Sequence, residues 1–104
     1  MTTIVVLFNL KKDASIEDYE RWAVTTDLPT ASALPSVDKF EVLKAEGVLM
    51  SEESSPYQYI ELLVIGDMEQ FGKDVSTDVM QKVAAQFQTF ADNPLFIMTS
   101  KIGA

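Results

Sequence analysis

The stretch Thr3–Leu10, TIVVLFNL, is apolar on both of its sides. Its β-branched and aromatic residues predict a strand. Alternation then puts Ile4, Val6 and Phe8 on one face and Val5, Leu7 and Asn9 on the other. The same two-sidedness recurs in Tyr57–Ile65, YQYIELLVI, where Ile60, Leu62 and Val64 oppose Tyr57, Tyr59, Glu61, Leu63 and Ile65, and in the last apolar run, Leu95 to Ile102. A loosely alternating run over 37–46, ending at Gly47, predicts one more strand.

Between these runs the period changes to that of a helix. Ser15 followed by Asp18 forms a capping box, and Ile16, Tyr19, Trp22, Ala23 and Thr26 recur at helical spacing. Asp27-Leu28-Pro29 reads as a second start, with Asp27 as N-cap of a short helix to Ala33 that Pro35 ends. Met68 to Phe71 suffices for one helical turn. Ser76 or Thr77 then caps a long helix with Val79, Met80, Val83, Ala84, Phe87, Phe90 and Ala91 on one stripe, stopped by Asn93-Pro94. The order β-α-β-β-α-β with right-handed crossovers predicts an α+β fold of ferredoxin-like type, an antiparallel sheet with helices on one face. At 104 residues this is expected to be a single domain.

Helices on one face leave the other apolar face in water, at roughly 1.5–3 kcal/mol per large side chain left unburied. A second subunit laying its sheet on the first removes that cost, so a twofold homodimer is expected.

Composition narrows the chemistry. The chain has no cysteine and no histidine. Disulfides, thiolate nucleophiles, a Ser-His-Asp triad, a structural zinc site and a His-ligated haem are therefore excluded, and no cofactor is expected. Asp, Glu, Tyr and Lys remain as acids and bases. Carboxylate-only Mg²⁺ or Ca²⁺ sites stay open, but no EF-hand or P-loop spacing occurs. Sixteen acidic against eight basic residues give a net charge of −8, with Arg21 the only arginine. Neither nucleic acid nor an anionic membrane suits such a surface. No apolar run is long enough to span a bilayer and no leader is visible, so a cytoplasmic location is expected.

Two longer stretches carry a resemblance. EDYERWAVTTDLPTASALPSV (Glu17 to Val37) and DVSTDVMQKVAAQFQTFADNP (Asp74 to Pro94) combine Tyr19, Trp22, Asp27, Leu28, Pro29 and Pro35 in fixed order. They resemble the REDY-like family of the dimeric α+β barrel superfamily, and the similarity covers most of the chain. The resemblance implies a dimeric barrel and a part in making red tripyrrole (prodigiosin-like) or related indole pigments. It brings no established reaction. Other branches of that superfamily include cofactor-free monooxygenases and cyclases.

The more uniformly apolar faces, Ile4, Val6, Phe8 and Ile60, Leu62, Val64, are expected to meet the helices. Asn9, Tyr57, Tyr59 and Glu61 would then share the open face, and a cavity there, reaching the first helix and its loop, would be bordered by Asn9, Tyr59, Glu61, Trp22 and Asp27. Polar groups among apolar walls are what a small-molecule pocket needs. Glu61, Asp27 and Tyr59 are the candidate catalytic residues: a carboxyl facing a closed cavity has a raised pKa and suits proton transfer. Asn9, Trp22 and Tyr57 are the candidate ligand-binding residues, through a hydrogen bond or stacking on a flat aromatic or pyrrole-type ligand. Each has a plainer reading. Lys44 would pair with Glu61 if the hairpin register opposed them. Asp27 would be an N-cap and Trp22 core. The tyrosines would be partly buried with hydroxyls at a rim, and Asn9 would serve turn chemistry. Arg21 reads as a surface residue paired with Glu17. Three functional readings remain: an enzyme of proton transfer or cyclisation on an apolar heteroaromatic intermediate, a cofactor-free monooxygenase, and a non-catalytic carrier or assembly protein.

Overall fold

The computed structural model describes residues 1–103. Four strands form one antiparallel sheet in the order β2-β3-β1-β4. They are β1 (Thr2–Leu10), β2 (Val37–Lys44), β3 (Tyr59–Ile65) and β4 (Ala91–Ser100). The helical segments are α1 (Ile16–Trp22), a π-helical turn (Ala23–Asp27), α2 (Leu28–Ser32), α3 (Met68–Asp74) and α4 (Asp78–Phe90). The expected ferredoxin-like α+β arrangement is present. Among the described residues no helix is long and apolar enough to cross a membrane.

Local chemistry sets the helix starts. Ser15 Oγ accepts the Asp18 backbone N–H at 3.2 Å, and Thr77 Oγ1 accepts that of Met80 at 3.3 Å. Asp67 Oδ1 takes the N–H groups of Glu69 and Gln70 at 3.0 and 3.1 Å. These side chains satisfy donors that a helix leaves unpaired at its first turn.

Asp27 does not act as a cap. Its backbone is helical (φ −66°, ψ −55°), and its side chain makes no capping hydrogen bond. The chain runs from α1 to α2 without a break because a π turn intervenes, with the Leu28 N–H reaching back to the Ala23 carbonyl. Pro29 has no N–H, and its ring would strike the carbonyl four residues earlier in a regular α-helix. One wider turn relieves that clash without ending the helix. It has a second effect. Every fourth residue of an α-helix drifts about 40° around the axis, and a wider turn takes the drift back. Tyr19, Ala23, Asp27 and Ala31 thus stay on one line, and all four are buried.

The faces pair differently from the expected assignment. The register opposes Ile4 to Leu63, Val6 to Glu61 and Phe8 to Tyr59. Directly opposed residues share a face, so Tyr59, Glu61 and Leu63 lie with Ile4, Val6 and Phe8. Helices cover this face: Phe8 packs edge-on to Tyr19 of α1 and Phe87 of α4, with ring centroids 5.6 and 5.0 Å apart. The open face carries Val5, Leu7, Ile60, Leu62 and Val64, with Leu43, Leu95 and Ile97 exposed. Apolarity alone misassigns the faces, because the register of β1 against β3 decides them.

The end of α4 also differs. The helix passes directly into β4 at Ala91, and Asn93-Pro94 lies inside the strand. Asn93 takes a left-handed φ of 46°, and the register against β1 shifts between Leu7 and Asn9. β4 is an edge strand, where a proline costs no ladder hydrogen bond on its free side.

Candidate functional site

A cavity of about 440 Å³ lies between the sheet and the helices, within the range of small-molecule sites. Ile4 and Val6 of β1, Phe40 of β2, Glu61 and Leu63 of β3, and Phe96 and Met98 of β4 form its floor. Asp27 of the π turn, Ala31 of α2, Met68 and Phe71 of α3, and Met80, Val83 and Phe87 of α4 contribute to its roof. The expected cavity was on the opposite, open face. Its position follows from the register above, since the polar interruption of β3 turns toward the helices.

Two carboxylates stand in this apolar lining. Glu61 is 5% exposed, and its Oε2 is fully buried with no hydrogen-bond partner. Its strand neighbours are Val6 and Val42. Lys44 sits opposite Tyr59 instead and pairs with Glu20 at 2.8 Å, so the Lys44–Glu61 pair does not form. Burial, with a smaller contribution from the charge of Asp27, pushes the Glu61 carboxyl up to about 8. Asp27 is 7% exposed, and burial raises it to about 6. Near neutral pH Glu61 therefore keeps its proton and Asp27 is mostly ionised. Two titratable groups driven apart by their surroundings supply a proton donor and an acceptor within one space. No group of three or more Asp or Glu side chains is placed to hold a metal ion among the described residues.

Tyr19 adjoins this pair and went unrecognised in the sequence. It is fully buried, and its hydroxyl has no partner. Burial, then the charges of Glu61 and Asp27, raise its pKa. The signal that could have found it is the four-residue spacing Tyr19–Ala23–Asp27–Ala31, hidden because Leu28-Pro29 looks like a helix break.

The other candidates lie elsewhere. Tyr59 is on the helix-covered face but outside the cavity lining. It stacks on Phe8 at 5.5 Å and donates its hydroxyl to Glu20 Oε2 at 2.6 Å. Burial and that hydrogen bond raise its pKa, while the bonds from Lys44 and then Tyr59 lower that of Glu20. Asn9 ties the approach to β3: its Nδ2 donates to the Pro56 carbonyl at 3.0 Å, and its Oδ1 accepts the Gln58 N–H at 2.9 Å. Tyr57 belongs to that approach, where its backbone bonds Ser55 Oγ. Trp22 packs on Tyr19, Phe87 and Phe90 and donates from Nε1 to Gln86 Oε1 at 2.8 Å. Arg21 pairs with Asp18 at 3.3 Å on the surface, not with Glu17.

Comparison with solved structures gives matches over nearly the whole chain. HapK from Hahella chejuensis is 28% identical, with 100% of this chain and 95% of that chain covered and a TM-score of 0.78. SnoaB, a cofactor-independent oxygenase from Streptomyces nogalater, is 12% identical with coverage of 99% and 94% and a TM-score of 0.75. A dimeric ferredoxin-like protein from Thermobifida fusca is 10% identical with coverage of 96% and 90% and a TM-score of 0.73. The last two share the fold alone. No curated protein matches the chain. The family model described as REDY-like protein HapK matches residues 2–102, and the chain belongs to that family.

Proposed function

We propose that this protein holds an apolar heteroaromatic intermediate, of pyrrole or indole type, in the cavity between sheet and helices. Glu61 and Asp27 exchange protons with it there, in the cytoplasmic synthesis of a prodigiosin-like pigment. The observation that carries this reading is the buried, partnerless Glu61 carboxyl inside an otherwise apolar cavity. An unpaired carboxyl at such a site costs stability, and an apolar residue there would be more stable. A ligand N–H or a migrating proton gives the carboxyl a use. Family membership supports the pigment pathway, and the four phenylalanines that line the cavity, Phe40, Phe71, Phe87 and Phe96, suit a flat ring system.

The open face of the sheet is covered in this reading by a second copy, giving a homodimer. Its apolar residues, Leu43, Leu95 and Ile97 among them, are otherwise left in water.

The test is calorimetric binding of a synthetic bipyrrole to the native chain and to Glu61→Gln and Asp27→Asn. Tight binding by the native chain, weakened about tenfold or more in Glu61→Gln while thermal stability holds or rises, is the expected result. Equal binding by all three proteins, or none by any, would overturn the reading.

A further inference from the structure

The charges around the cavity are one-sided. Glu61 and Asp27 line it, and among the described residues no lysine or arginine does. Nor do the nearest cations supply one. Lys44, adjacent on the hairpin, is held by Glu20 at 2.8 Å. Arg21, in α1 just before the π turn, is held by Asp18 at the surface. The other titratable group beside the carboxylates is the Tyr19 hydroxyl, which carries no positive charge. The elements opposite add only Gln88 as a polar lining residue. Glu61 Oε2, buried and without any donor, is an acceptor that nothing in the chain satisfies.

A buried carboxylate with no internal counterion, here that of Asp27, attracts a cation and repels an anion. The phenylalanine rings of the lining add to this, since aromatic faces attract cations. We propose that the cavity selects a guest by charge: a flat aromatic molecule bearing a protonated nitrogen, in preference to its neutral isostere and with exclusion of its anionic one. The N–H of the guest donates to Glu61 Oε2, and its positive charge offsets Asp27. This rests on the cavity being the binding site, and it adds the charge class of what binds.

The test uses three probes with one ring system and different charge: naphthalen-2-ylmethylammonium, naphthalen-2-ylmethanol and 2-naphthoate. Each is titrated calorimetrically into the native chain at neutral pH, then into the Glu61→Gln/Asp27→Asn double variant. The ammonium probe should bind about tenfold tighter than the alcohol, and 2-naphthoate should bind weakest. In the double variant the preference for ammonium over alcohol should fall toward one. Equal binding of ammonium and alcohol, tightest binding of naphthoate, or an ammonium preference unchanged in the double variant would overturn charge selection while leaving the cavity as a binding site. Failure of all three probes to bind the native chain would overturn both.

Discussion

Glu61 carries the account, and its energetics give a sign that can be checked. Its carboxyl is raised from 4.5 to about 8 in the folded chain. The folded state therefore binds more protons than the unfolded state across that interval, and stability falls as pH rises through it. Asp27, raised from 3.8 to about 6, acts in the same direction at lower pH. Glu61→Gln keeps the shape and removes the charge. Urea unfolding at pH 5 and pH 8.5 should show the native chain losing stability on the way up. The variant should lose less, by a margin on the order of a few kcal/mol. Parallel losses would mean that Glu61 is solvated or paired. Tyr19 allows a second check. Its hydroxyl is buried without a partner, and removing such a group costs little. Tyr19→Phe should leave the melting temperature unchanged or higher. Phe8→Ala, which empties the ring cluster of Phe8, Tyr19, Tyr59 and Phe87, should cost about 3–5 kcal/mol.

Strands and helices were legible in the sequence because their signals are local. The Ser15 and Thr77 caps and the first three strands stand close to where the pattern put them, whereas β4 begins early, at Ala91. Thr77→Ala should lower stability by about 1 kcal/mol, read from chemical unfolding, because the Met80 N–H loses its acceptor. What the sequence concealed was relational. Alternation shows which residues of one strand share a face, but the face that joins its neighbour depends on register, and Phe8 opposite Tyr59 turned Glu61 inward. The β2–β3 register placed Lys44 opposite Tyr59, where it pairs with Glu20 and not with Glu61. Likewise Pro29 looked like a boundary and proved to be accommodated by a π turn. Asp27 was found as a candidate, but the reason for its burial, a helical line shared with Tyr19, needed that turn.

For the whole molecule the unfinished surface is the open sheet face. Packing two such faces together buries Leu43, Leu95 and Ile97, which are 42–46% exposed in the single chain, and twofold pairing of identical patches is the common way to do so. Sedimentation should give twice the chain mass of 11.6 kDa, and Leu43→Glu combined with Ile97→Glu should shift the protein to monomer. A native chain that sediments at its single-chain mass would remove the dimer. The cavity would survive that result, because it lies on the other side of the sheet, under the helices. Central to the proposed function is a buried Glu61 carboxyl that remains protonated at neutral pH. Its most direct test is a carbon-13 NMR titration of the Glu61 side-chain carboxyl in the ligand-free protein. A midpoint near 8 is expected; one near the ordinary value of 4.5 would contradict it.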